Sequence, residues 1–340
     1  MKKIALLCSL LVAFGYADKK AMLGSFDGFV ERMGASAHEL GRGNTGSADT
    51  SAQPGAYWNP ALLSFRTQLT YNLHAEQRSL DRTGGSIGVE GRVGKRMGVG
   101  FAMLYRGDHA FDVVNDDDET LGEASPYFSI MYLGFAYRLS RRDGLGISFS
   151  MSYDNLDISE YYDDISLVDG YQSPVSFNLG WVRQWNEKWS TSVVIRNLSF
   201  SKNLSAVWTR NPSTDNSVIS TEGVRPKVLQ IGVGYRNTLF GKPISAWMEA
   251  LDYQIADTLL AFDPDRHVWT GRVGFEYEVI PNGSVSLGMN DLNFSFGLGY
   301  QFNIRIGKKR WPFDVSYALL YESEANLWNP LSFGVRGWIP

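Results

Sequence analysis

The sequence predicts an all-β protein: a transmembrane outer-membrane β-barrel of about fourteen antiparallel strands closed around an N-terminal lumenal hatch. Three observations carry this. After Thr67, segment upon segment alternates apolar and polar residues with the period of a strand. Tyr or Trp recurs near the ends of these segments, at Tyr105, Tyr137, Tyr153, Trp189, Tyr235, Tyr277, Trp311 and Tyr321, as in the aromatic girdles of membrane interfaces. The connections alternate short and long, as in a barrel with turns at one end and loops at the other.

The chain begins as an export signal. Lys2-Lys3 precede an apolar run from Ile4 to Phe14, and Gly15-Tyr16-Ala17 supplies the small residues of a cleavage site. Residues 1–17 are therefore expected to be removed, and the mature protein to reach the cell outer membrane of a Gram-negative-type bacterium. The only cysteine, Cys8, leaves with the signal, which excludes disulfides and cysteine ligands from the mature chain. A formal net charge of −4 and a pI near 5.7 argue against a nucleic-acid partner. Mean hydropathy, at −0.19, does not separate soluble from membrane β proteins, because half of every barrel strand faces the lumen.

Residues 18–65 read as the hatch and residues 66–340 as the barrel. In the strand Phe294–Phe302, Phe294, Phe296, Leu298, Tyr300 and Phe302 point one way and Ser295, Gly297, Gly299 and Gln301 the other. The polar faces hold Ser, Gly, Asn and Gln rather than the Lys and Glu that solvate a soluble sandwich. Short links at Lys95-Arg96, Ser140–Asp143, Asn186–Lys188, Thr238–Lys242 and Pro281–Gly283 alternate with long ones at 107–124, 154–173, 198–223 and 253–266. Two links break the pattern: Asp291-Leu292 is short where a loop is due, and Asn303–Arg310 is long for a turn. Pro174, Pro226, Pro243 and Pro312 fall at strand starts, where a missing donor is tolerated. The final strand, roughly Asn329–Ile339, is expected to close against the first. A lumen of this size is too wide for small residues to fill, and residues 18–65 are the segment long enough to fill it.

Within that segment, Gly41-Arg42-Gly43-Asn44-Thr45-Gly46 leads through Gln53-Pro54-Gly55-Ala56 to Tyr57-Trp58-Asn59-Pro60-Ala61-Leu62-Leu63. Its glycines allow close backbone approach to a wall. Pro60 holds Asn59 extended, and the Asn59 side chain suits bonding to nearby backbone. The plainer alternative is an ordinary loop leading into a first strand at Thr67. Inward strand positions carry Glu90, Arg92, Arg106, Arg138, Arg196, Arg236, Glu249, Arg272 and Glu276, with Glu278 and Arg336. A structural ion-pair network is the favoured reading, and a cationic patch for a carboxylate ligand the other. The outer loops are acidic, at Asp112, Asp116–Glu119, Glu123, Asp157, Glu160, Asp163-Asp164 and Asp169, without the spacing of a calcium loop. His38, His74, His109 and His267 are scattered and no nucleophile elbow or zinc pair appears, so no enzyme, metal or cofactor is expected.

The run Glu39–Gly43 through Trp58-Asn59-Pro60-Ala61 resembles the hatch of the FadL superfamily of outer-membrane barrels. The aromatic before Asn59, and the glycine-aromatic strand Phe294–Phe302, are more similar to its PorV/PorQ branch. Arg42 and Asn44 depart from the Met-Gly-Gly common in that branch, and Ser47–Ala52 lacks the acidic pair common in the superfamily. The branch resemblance implies an accessory role in type IX protein secretion, with secretion-system or exported proteins as partners. The superfamily resemblance implies transport of fatty acids or other hydrophobic small molecules. Either implies contact with outer-membrane lipids and lipopolysaccharide.

Overall fold

A computed structural model describes residues 32–114, 119–155, 171–172, 175–198, 207–209, 218–220, 226–254, 267–291, 293–323 and 326–339. Fourteen long antiparallel strands close into a barrel. In chain order they are β1 (Leu69–Gln77), β2 (Thr83–Val93), β3 (Met97–Gly107), β4 (Tyr127–Arg138), β5 (Asp143–Asn155), β6 (Ser176–Gln184) and β7 (Trp189–Leu198). The second half continues with β8 (Lys227–Leu239), β9 (Lys242–Gln254), β10 (His267–Ile280), β11 (Gly283–Asn290), β12 (Asn293–Ile306), β13 (Lys309–Glu322) and β14 (Leu327–Ile339). Each pairs with the next, and β14 returns to β1 from Leu69↔Ile339 to Gln77↔Leu331. Closure leaves no free edge along the wall, the condition for a β structure in hydrocarbon.

Period-two alternation places the faces. On β1, Leu73 is exposed while its neighbours Asn72 and His74 are buried. On β8, Ile231 faces out and Gln230 in. Ile87, Phe101, Leu133, Phe149, Leu179, Phe275, Leu298 and Phe333 form an exposed apolar belt around the ring. Aromatic pairs edge it at both ends, with Tyr105, Tyr127 and Tyr153 in sequence at one and Trp189–Tyr235, at 4.5 Å between ring centroids, at the other.

Turns at 94–96, 139–142, 185–188, 240–241, 281–282 and 307–308 define a short-turn end. The opposite, loop end carries the hairpin of Phe111–Val114 with Thr120–Ala124, the pair Val207–Thr209 and Val218–Ser220, and Tyr171–Gln172 on the end of β5. Several expectations need adjusting. The first strand starts at Leu69 rather than Thr67, because the chain from Pro60 to Phe65 is a 3-10 helix that ends at Arg66. Asn303–Arg310 is not a long turn: both strands run through it to a two-residue turn in which Gly307 takes φ 63°. The short link after β11 stands, with Asp291 at φ 54°. Pro226 precedes β8 and Pro243 is second in β9, but Pro312 lies inside β13, where pairing with β14 has not yet begun. Residues 1–31, Pro174 and most of the acidic loop positions (116–118, 157, 160, 163, 164 and 169) lie outside the described residues.

Candidate functional site: a segment inside the barrel

The described chain before β1 runs through the lumen from the loop end to the short-turn end. At the loop end the Arg32 guanidinium lies 5.8 Å from the Tyr253 ring, and Arg78 donates to the Met33 carbonyl. At the other end Phe65 packs under Arg138, whose guanidinium lies 4.7 Å from the ring. The segment is built from three short helical turns. α1 (Ala37–Leu40) is capped by Ser36, whose hydroxyl accepts from the Glu39 amide at 3.3 Å. α2 (Gly55–Trp58) follows Pro54, and the 3-10 helix Pro60–Phe65 is capped by Asn59. Here the Asn59-Pro60-Ala61 chemistry is explicit. Asn59 is extended before Pro60, its Oδ1 accepts from the Ala61 amide at 3.0 Å, and its Nδ2 donates to the Ser47 and Trp181 carbonyls. One residue thus ends one helix, starts the next and ties both to β6.

Glycines let backbone meet backbone. Gly43 takes φ 71° and a Cβ on Gly288 of β11 would overlap its amide; the Gly43 N–H instead donates to Ser295 Oγ at 2.9 Å. A Cβ on Gly98 would likewise collide with the Leu63 carbonyl.

Charged groups hold the first half of the segment. Glu249 Oε1 accepts from the Gly46 and Ser47 amides at 2.9 and 2.7 Å and from Ser47 Oγ at 2.7 Å, while Gln230 Nε2 holds its other oxygen. Arg42 stacks 4.0 Å from the Trp247 ring and pairs with Asp49 at 2.6 Å, Glu39 at 3.2 Å and Glu276 at 3.5 Å. Arg236 reaches Asp49, and Arg336 joins Asp314 at 2.9 Å and Glu39 at 3.5 Å. His38 Nε2 sits 3.2 Å from Glu276. Burial, with Arg336 and Arg42 nearby, works against charge on His38, but the surrounding carboxylates Glu276, Glu39 and Asp314 together outweigh them and raise its pKa to about 9. With His38 charged, Arg42, Arg236, Arg336 and His38 balance Glu39, Asp49, Glu276 and Asp314. Burial also opposes ionisation of Asp49, yet Arg42 and Arg236 hold it well below the usual carboxylate range.

The second half docks by packing. Trp58, Leu62 and Leu63 are fully buried among Leu104, Ile130, Tyr132 and Val182 of the inner wall, and Tyr57 meets Tyr132 edge-on at 5.6 Å. Glu90 closes this half from β2, accepting from the Gly55 amide at 2.7 Å and from Arg66 at 2.6 Å.

Of the charges singled out in the sequence, Glu90, Arg106, Arg196, Arg236, Glu249, Arg272 and Glu276 all reach the segment. Arg106 donates to the Gly34 carbonyl, Arg196 to the Tyr57 and Trp58 carbonyls, and Arg272 to the Asn44 carbonyl at 3.2 Å. Arg92 is exposed at the short-turn mouth, and Arg138 caps turn carbonyls there. Sequence reasoning did not single out Asp49, Asp314 or Gln230, and took Glu39 only as the start of the hatch-like run; the Glu39/Arg42 spacing of one helical turn is the one local signal of a pair. Of the other three histidines, His74 meets Ser332 at 2.8 Å, His267 pairs with Asp252 at 2.9 Å near the loop end, and His109 is exposed. Among the described residues no group of ligands suited to a metal ion occurs.

A small cavity near the loop end, between the segment and β7–β10, is lined by Arg196, Arg272, Tyr57, Tyr253, Val228 and Leu251. Val228, Leu251, Tyr253 and Val268 form a buried apolar cluster there. At about 30 Å³ the cavity admits water but no ring-sized molecule.

No family model matches the chain, and no curated protein does. Solved structures match along most of its length. The CymD monoaromatic hydrocarbon channel superposes with a TM-score of 0.57 at 13% identity, covering 90% of this chain and 98% of that one. The toluene transporter TbuX of Ralstonia pickettii gives 0.55 at 11% identity, over 89% and 97%. The toluene transporter TodX of Pseudomonas putida gives 0.54 at 11%, over 89% and 96%. At such identities the likeness is one of fold: this closed fourteen-strand barrel shares the architecture of those channels.

Proposed function

We propose that the chain is an outer-membrane channel of the FadL superfamily for small hydrophobic molecules. The observation that carries this reading is the apolar cluster Val228, Leu251, Tyr253 and Val268. It lies at the loop end of a lumen whose wall nearby carries Arg196, Gln230 and Arg272. A hydrophobic molecule arriving from that end gains by leaving water for this patch, and Tyr57 and Tyr253 offer ring faces beside it. Arg196 and Arg272 would orient a ligand bearing a polar end. The fold shared with two toluene transporters and a monoaromatic hydrocarbon channel supports the same reading. Passage requires the lumenal segment to shift, because this cavity is far smaller than a ligand site of roughly 300 Å³ or more. That segment is then the hatch, and passage involves no catalysis.

The test is uptake of labelled toluene, and separately of a labelled long-chain fatty acid, by cells with and without the gene. Loss of uptake on deletion is expected, with a drop of about tenfold for Leu251→Gln, which places a polar group in the apolar patch. Unchanged uptake on deletion overturns the proposal.

A second reading, a PorV/PorQ-like accessory of secretion, rests on the Trp58-Asn59-Pro60-Ala61 run and the glycine-aromatic strand Phe294–Phe302, and the fold comparisons lend it less support than the channel. Export of surface proteins measured in the same deletion strain separates the two: lost export with intact uptake would replace the channel by the secretion role.

A further inference from the structure

The β12–β13 hairpin extends beyond its neighbours at the short-turn end. β11 pairs with β12 only as far as Gly283↔Tyr300, and β14 pairs with β13 only from Phe313↔Gly337. Between themselves β12 and β13 stay paired to Ile306↔Lys309. Residues 301–312 therefore project past the ladders on both sides, by roughly 20 Å of strand on the β12 side.

The projection carries two kinds of side chain. Phe302, Ile304, Trp311 and Phe313 continue the outward column begun by Tyr300. The rings of Tyr300 and Phe302 stack at 6.4 Å and those of Phe302 and Phe313 at 5.7 Å. At the tip, Arg305, Lys308, Lys309 and Arg310 are all exposed, and no acid occurs from Asn303 to Pro312. Arg305 stands directly opposite Arg310. Like charges so placed destabilise a hairpin unless an anion lies between them.

Edge protection explains part of this. Cations and Pro312 on two unpaired edges discourage pairing with another chain. It does not explain a column of aromatics carried outward beyond the neighbouring strands. Aromatic rings at the boundary of the acyl region, with cations just past them at the level of lipid phosphates, make up a lipid-headgroup site. We propose that the β12–β13 hairpin binds the phosphate headgroups of anionic phospholipids in the membrane leaflet at the short-turn end. The inference rests on the chain being a membrane barrel and is independent of what the barrel transports.

The test uses the full mature chain in nanodiscs of equal phosphatidylglycerol and phosphatidylcholine, with native mass spectrometry of the lipids that stay bound on release. Retention of phosphatidylglycerol over phosphatidylcholine by at least about tenfold is expected for the unaltered protein. The variant Arg305→Gln/Lys308→Gln/Lys309→Gln/Arg310→Gln loses that preference, and Lys308→Gln/Lys309→Gln alone weakens it. Arg141→Gln/Arg142→Gln, on another turn of the same end, retains it. The proposal is overturned if the four-site variant keeps the preference, if both sets of variants lose it equally, or if the four-site change abolishes binding of an acidic peptide while lipid retention persists. Heat-dependent gel migration reports barrel folding separately: no shift for the unaltered protein would remove the membrane barrel itself.

Discussion

The two halves of the lumenal segment are held by different physics. From Ser36 to Asp49 the chain lies against β7–β14 and is bound mainly by charge: amides on Glu249, Arg42 among three carboxylates, Arg336 between Asp314 and Glu39. From Tyr57 to Leu63 it lies against β3–β6 and is bound by packing, with Trp58, Leu62 and Leu63 fully buried. The halves meet where Gly46 approaches the Trp58 ring. An ion-pair half is sensitive to protonation, and its net contribution is small because desolvation offsets attraction. A packed half loses stability in proportion to the volume removed. The cavity, lined by Tyr57, lies beside their junction.

Four substitutions or conditions test this contrast, taken from the largest effect down. Trp58→Ala should cost about 3–5 kcal/mol of docking stability, from a buried indole with no room to collapse. Protease sensitivity within residues 32–66 reads the loss, and a resistant variant would mean the packed half is not the anchor. Glu249→Ala removes the acceptor for two buried amides and should cost about 3 kcal/mol, seen as cleavage confined to the first half. Cleavage spreading equally over both halves would merge them into a single unit.

The third concerns pH. The folded His38 pKa of about 9 lies above its ordinary value of 6.5, so the stabilisation is fully present below pH 6.5 and is lost as pH rises through about 9. Proteolysis of the first half should accelerate between about pH 7 and 10 and that of the second should not; His38→Gln should flatten the profile. A profile that survives His38→Gln would assign the response to another group. Smallest of all, Arg92→Gln at the exposed mouth should change stability by less than about 0.5 kcal/mol. A larger effect would place Arg92 in the network.

Much of the wall was legible because a strand in a membrane barrel must alternate, and the pattern of Leu73 out and His74 in needs no partner to be read. The turns were less legible. Asn303–Arg310 looks polar enough for a loop, yet pairs throughout, since cations are tolerated where a hairpin leaves the bilayer. The inner apolar patch was hidden for another reason: on β4 both faces are apolar, Met131, Leu133 and Phe135 outward and Phe128, Ile130 and Tyr132 inward, so period alone cannot say that one of them meets Trp58.

By itself the sequence determined the strand class, the approximate strand number, the two aromatic edges and the small-residue segment in which Asn59 bonds nearby backbone, all set by interactions over a few residues or by a repeating period. Tertiary structure alone decided which charges meet. Ser47 and Glu249 are 202 residues apart in the chain, and Glu39 finds Arg336 only when β14 closes on β1. Such pairings depend on ring closure and on which strand each inward side chain occupies, and no local pattern encodes either.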